Sequence, residues 1–114
     1  MIDAKENLLL KSECSLKVVK IMQIIGAEKK GKKVKIITSD KELETVKSLQ
    51  EIEQELGKMF YRIHYNTLVN LLRIKELLLE ENKVIMENNK AYPVAKRRKK
   101  EFIGILNKNC KAII

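Results

Sequence analysis

The side chains best placed to do chemistry in this chain are His64, Tyr65 and Asn66. They close the alternating run Phe60-Tyr61-Arg62-Ile63-His64-Tyr65 and open the run Asn66-Thr67-Leu68-Val69-Asn70. Period-two alternation marks a strand with two distinct faces. Beyond His64 the alternation breaks, and Asn66 and Thr67 can bond their own backbone and turn the chain. Leu68 and Val69 return to the core. A strand thus ends in one imidazole, one phenol and one amide at a single tip. Such groups donate and accept hydrogen bonds while carrying little charge, so they suit reading a base edge rather than neutralising a field. Without any other context, a lone strand histidine is more often a residue making one structural hydrogen bond than a functional group.

Charge supplies the second clue. The 114 residues carry a net charge of +9. It is uneven: residues 1–57 hold 11 Lys/Arg against 10 Asp/Glu, and residues 58–114 hold 13 against 5. A basic half suits an anionic partner, nucleic acid before membrane surface, although a solvated surface is also consistent with it. Two segments concentrate the cations. Glu28-Lys29-Lys30-Gly31-Lys32-Lys33 reads as a Gly-centred hairpin turn whose four lysines meet at one tip. It fits a phosphate or groove contact and equally a solvated turn. Ala95 to Leu106 reads as a helix with Lys96, Arg97, Arg98, Lys99 and Lys100 at its start. Cations there oppose the helix dipole at ~0.3–1 kcal/mol each. A phosphate backbone is the natural compensation.

Other chemistries find little support. His64 is the only histidine, and Cys14 and Cys110 lie far apart without a C-x-x-C partner, so neither a zinc site nor a disulfide framework is indicated. The cysteines are expected as reduced thiols, one of them a candidate for burial. No G-x-x-x-x-G-K-[ST] or G-x-G-x-x-G occurs, and carboxylates are not paired as in an acid–base site. No enzyme and no cofactor is expected. Tyr61, Tyr65 and Tyr92 could stack on single-stranded bases, but their spacing shows no pattern for it.

The elements that must hold these groups follow in order. Asp3 to Asn7 is polar and expected to fray. Leu8-Leu9-Leu10 forms a short strand, Ser12 to Ser15 a turn, and Leu16 to Ile25 one or two strands interrupted by Gly26. Val34 to Thr38 is a strand, Ser39-Asp40-Lys41 a turn, and Glu42 to Lys47 a partly polar strand. Ser48-Leu49-Gln50-Glu51 fits a capping box that opens a short helix through Leu56, with Gly57 as its stop. The acidic outer face of that helix, Glu53 and Glu55, is expected away from any DNA contact. After the Phe60–Asn70 stretch, Ile74 to Leu79 and Val84 to Met86 pair across the turn Glu80 to Lys83. Asn88-Asn89 is a tight turn, and a short strand from Lys90 to Val94 includes Pro93. Cys110 to Ile114 is a loose end. The sum is a mainly β domain with seven or eight short strands in stacked antiparallel sheets and two short α-helices. Residues 1–114 are expected to form one domain, with a core over about 8–106. No apolar run nears the ~18 residues of a membrane span, and Met1-Ile2-Asp3 lacks a signal pattern, so the expected location is the cytoplasm.

The opening stretch also resembles the LytTR family of bacterial DNA-binding domains, whose pattern runs F-x-R-x-H-x-S-x-x-V-N. Phe60, Arg62, His64, Val69 and Asn70 match it. Asn66 stands where Ser is usual, and Thr67 where an aromatic is usual. The helix Leu49–Leu56 sits where the family has L-x-x-L-x-x-x-L, and Pro93-Val94-Ala95-Lys96-Arg97 is similar to its P-V-S-R-R. The segment Lys20 to Ile25 keeps little of D-I-x-Y-I-E. The likeness spans about Leu8 to Ile105.

The resemblance implies a transcription regulator, of the response-regulator kind, that bends duplex DNA and enters successive major grooves through loops at one edge. Lys29, Lys30, Lys32 and Lys33 match one such loop by position, His64, Tyr65 and Asn66 a second, and Lys96 and Arg97 a third. Lys96, Arg97 and Lys32 or Lys33 are assigned to guanine edges or phosphates, and Tyr65 and Asn66 to bases. Arg98 and Lys99 are assigned to phosphates. His64 is expected to orient the tip, Phe60, Leu68 and Val69 to be core, and Asn70 to bond backbone. Lys96 in place of Arg lacks the planar fork that grips guanine. The partner is then double-stranded DNA, with paired half-sites, self-association and a regulatory protein left open. No receiver domain is present in these residues. The alternative from another class is a sequence-indifferent RNA-binding or ribosome-associated protein, and a third is a protein-interaction module.

Overall fold

The computed structural model describes residues 6–111, in which ten strands and two α-helices alternate with short 3-10 turns. The expected behaviour of Asp3 to Lys5, and of residues 112–114 at the loose end, lies outside the described residues. Three antiparallel sheets result. β1 (Asn7–Lys11) pairs with β2 (Leu16–Lys20) as a two-stranded hairpin. β3 (Ile24–Lys30), β4 (Lys33–Thr38), β5 (Glu42–Thr45), β6 (Phe60–His64) and β7 (Thr67–Asn70) form a central sheet in the order β5-β4-β3-β7-β6. β8 (Ile74–Leu78), β9 (Lys83–Met86) and β10 (Ala91–Pro93) form the third, in the order β10-β9-β8. α1 (Leu49–Leu56) and α2 (Lys96–Asn109) complete the fold.

The central sheet is buried on both faces, and that explains its composition. On one face Ile24, Ala27, Val34, Ile36 and Leu68 pack with Leu8, Leu10 and Val19 of the hairpin and with Leu49, Ile52 and Leu56 of α1. On the other, Ile25, Ile37, Ile63 and Val69 pack with Val84, Met86 and Tyr92 of the third sheet and with Phe102 of α2. Adjacent residues such as Ile24 and Ile25, Ile36 and Ile37, or Leu68 and Val69 therefore serve opposite cores. A strand covered on both sides needs no polar face, so period two disappears from its sequence.

Two expectations about the strands are corrected by this arrangement. The run Leu16 to Ile25 is divided not at Gly26 but by a 3-10 turn over Ile21–Gln23, and Gly26 lies inside β3. There a register shift separates Ile24 from Gly26, and a Cβ on Gly26 would stand 2.5 Å from the Leu68 carbonyl oxygen of β7. Gly26 is thus required by close strand approach rather than by a break in the strand. The strands number ten rather than seven or eight, because the 3-10 turn separates β2 from β3 and a tight turn separates β6 from β7.

α1 begins as its sequence indicates: the Ser48 hydroxyl accepts from Glu51 N–H, and Glu51 accepts from Ser48 N–H. Gly31 (φ +63°) is the first of two residues joining β3 to β4, the position a type II′ hairpin assigns to glycine. Asn89 has φ +64°, as an asparagine in a tight turn allows. Both cysteines are exposed, so neither is the buried thiol anticipated. Among the described residues no helix is long and apolar enough to cross a membrane.

Candidate nucleic-acid interface

The turn between β6 and β7 is built from local bonds. The Asn66 N–H donates to His64 Nδ1 at 3.3 Å, and the His64 and Tyr65 rings lie 4.5 Å apart. Arg62 clamps the turn from below. Its Nε and Nη2 donate to the Tyr65 carbonyl at 3.2 and 2.7 Å, while Nη1 pairs with Glu53 at 2.8 Å. Charge-assisted bonds of this kind are stronger than neutral ones and fix geometry as well as energy. Tyr65 is left 65% exposed, available to an external partner. Sequence reasoning placed Arg62 only as a motif match; its clamping role needs the folded contact with α1.

The alternation expected over Phe60–Tyr65 is broken by a bulge between Arg62 and His64. Ile63 still points into the core, at 0% exposure, but its carbonyl leaves the β6–β7 ladder and accepts the Ala95 N–H at 2.8 Å. Bulges commonly re-aim a strand end beside a functional site. Here the bulge ties the start of α2 to the tip. A second backbone bond does the same for the basic hairpin: Lys29 N–H donates to the Asn66 carbonyl at 2.9 Å. Together these two bonds set all three sequence-predicted loops side by side.

Tyr65 lies between two concavities. One is lined by Lys29, Gly31, Lys32, Arg62, Tyr65 and Asn66 together with Ser48 to Glu51 of the α1 entry. The other is lined by His64, Tyr65, Lys96 and Arg97 with Glu81 to Lys83 and Pro93 to Ala95. Nothing in the composition of the β8–β9 turn marks it for this position. The N-terminal turn of α1 borders the first concavity, whereas the carboxylates of its outer face do not line it and are engaged, Glu53 with Arg62 and Glu55 with Lys47 at 2.6 Å.

The cations divide into two sets. Among the described residues Lys29, Lys32, Lys96 and Arg97 are exposed and have no carboxylate partner. Lys30 pairs with Glu28 at 3.5 Å and Lys33 with Glu44 at 3.2 Å, both at the surface and weakly held. Arg98 and Lys99, assigned to phosphates from sequence, are turned back on the protein. Arg98 Nη1 donates to the Arg62 carbonyl at 3.0 Å, and Lys99 Nζ donates to the Leu79 carbonyl. The N-cap of α2, Ala95, offers no side-chain cap and the first turn holds no acid, so these carbonyls offset part of the dipole penalty internally.

Beneath the cations, Tyr61 stacks on Phe102 with centroids 5.4 Å apart and planes 3° from parallel. Its hydroxyl donates to Glu101. Burial, then the Glu101 hydrogen bond, pushes the phenol up to about 12. Tyr92 is buried and bonded to Asn88. Of the three tyrosines only Tyr65 is exposed, which removes the stacking platform that single-stranded nucleic acid would use. The motif residues also have their roles: Phe60, Leu68 and Val69 are core, and buried Asn70 donates to the Ile24 carbonyl and accepts from Leu72 N–H, both at 2.9 Å.

The β scaffold thus gathers basic and hydrogen-bonding loops on one edge. Residues 15–107 match the family model described as the LytTr DNA-binding domain, and the chain belongs to that family. It is therefore a DNA-binding domain of the transcription-regulator type. Among solved structures it is similar to the LytTr DNA-binding domain of a Bacillus cereus protein described as a methyl-accepting/DNA response regulator. The identity is 25%, with 90% of this chain and 97% of that chain covered and a TM-score of 0.77. Comparison with curated proteins yields no match.

Proposed function

We propose that this domain binds double-stranded DNA sequence-specifically, by entering successive major grooves with the three adjoining loops. The observation that carries the reading is the pair of backbone bonds, Lys29 N–H to Asn66 and Ala95 N–H to Ile63, which make those loops one continuous edge. Arg97 and Lys96 read guanine edges or the adjoining phosphates. Tyr65 and Asn66 contact bases, held by His64 and Arg62. Lys29, Lys30, Lys32 and Lys33 engage the backbone of the neighbouring groove. Arg98 acts chiefly through the Arg62 carbonyl, keeping α2 against the tip, and Lys99 approaches phosphate only by leaving Leu79.

Selection of bound duplexes from a random pool tests DNA binding and reveals the site in one experiment. Arg97→Ala should then weaken binding to the selected duplex by ~1–3 kcal/mol and relax preference at one base pair. Unchanged affinity removes Arg97 from the interface. Retention by RNA competitor as readily as by the selected duplex would favour the sequence-indifferent RNA reading instead.

A further inference from the structure

We infer that the open edge of β2 docks an extended acidic segment of a partner protein, added as a third strand to the β1–β2 sheet. Among the described residues β2 pairs only with β1. Counting from the Ser12 N–H to Ser15 carbonyl bond at the hairpin turn, antiparallel alternation directs the backbone groups of Leu16, Val18 and Lys20 away from β1. The same count directs Lys11 to the opposite edge, where its carbonyl accepts from Val46 N–H at 3.4 Å. The β1 edge thus has a neighbour, and the β2 edge has none among the described residues.

The side chains at that edge are apolar. Leu16 and Val18 are 64% and 69% exposed, and Leu9, opposite Val18 in the register, is 50% exposed. An exposed aliphatic edge invites strand addition. Phosphates offer nothing to these side chains, so a nucleic acid is a poor occupant. The only charges within the two strands are cations: Lys11, Lys17 and Lys20 are exposed and none is ion-paired among the described residues, while exposed Glu6 and Glu13 lie just outside the strand ends. A second copy would bring a second set of the same three cations to the edge. A strand that alternates aliphatic residues with carboxylates satisfies the ladder, sets its aliphatic side chains beside Leu16 and Val18, and carries its carboxylates on the face of Lys17, with Lys20 at the strand end. Main-chain bonds then supply affinity, and charge supplies the choice of partner.

The test uses the whole chain and two synthetic peptides of about nine residues, a common strand length. One alternates Val with Glu, the other Val with Lys, and the readout is amide hydrogen exchange. The Glu peptide should slow exchange at the Leu16, Val18 and Lys20 amides by about tenfold, and the Lys peptide should leave them unchanged. Lys17→Glu/Lys20→Glu should reverse that preference. Val18→Pro removes one outward N–H at an edge position that tolerates proline, and should abolish protection while β3 and β7 amides stay slow. Equal protection by both peptides, or protection on other elements, overturns the inference. So does protection that grows with protein concentration alone, or that appears with phosphatidylglycerol vesicles or duplex DNA in place of peptide.

Discussion

Lys29 and Lys32 offer the sharpest test of how this domain meets DNA. Both are exposed, both line the concavity beside Tyr65, and neither has a carboxylate partner among the described residues. A lysine without a partner gives up no ion pair when it reaches phosphate, so each should release one counterion on binding. Replacing both with Ala should flatten the slope of log K against log salt by ~1.8, from ~0.9 per phosphate contact on duplex DNA. Between 50 and 200 mM salt the double variant should therefore lose about 12-fold less affinity than the parent. Fluorescence anisotropy with a labelled duplex, titrated across that salt range, measures the slope directly. The flattening should be the same on the selected and a scrambled duplex, because phosphate contacts carry no sequence information. Lys90→Ala, outside the three loops and paired with Glu42 at 3.4 Å, serves as the matched loss of one charge and should change the slope little. A Lys29→Ala/Lys32→Ala slope equal to the parent's would refute the assignment of the hairpin to the DNA backbone. A change about half as large from Lys90→Ala, one charge against two, would reduce the effect to net charge.

The remaining predictions concern the scaffold. Phe60→Ala removes a ring that is 6% exposed in the core shared with α1, and should cost ~3–5 kcal/mol in urea unfolding; unchanged stability would place Phe60 outside that core. Gly26→Ala drives a Cβ to within 2.5 Å of a β7 backbone oxygen and should destabilise by ~1–3 kcal/mol, read as a lowered urea midpoint with an unchanged m-value. Tyr61 has its folded pKa raised to about 12, first by burial and then by Glu101, whereas an unfolded phenol ionises near 10. Its contribution is thus whole below about pH 10 and fades as pH rises from there toward 12. The stability difference between the parent and Tyr61→Phe should be flat below pH 10 and shift in favour of Tyr61→Phe above it. A difference independent of pH would show that the phenol's proton is not favoured by folding.

Much of this protein is legible in the residues alone, for reasons of local physics. The capping box at Ser48 and Glu51, the glycine at Gly31 and the asparagine at Asn89 are dictated by backbone geometry within a few residues, so the sequence states them outright. The motif around Phe60 to Asn70 likewise separates core residues from tip residues, because side-chain chemistry sorts them by solvent. Tertiary structure decides what depends on a distant neighbour. Burial on both faces erased the alternation of β3 and β7, and the bulge at Ile63 leaves its carbonyl bonded to the Ala95 N–H at the entry to α2. Lysines and arginines that look equivalent in sequence are divided by what lies within reach: carbonyls hold Arg98 and Lys99, while Lys29, Lys32, Lys96 and Arg97 face outward. A cation's residue type reveals its charge, but whether that charge is committed is set by long-range packing, which no short window of sequence contains.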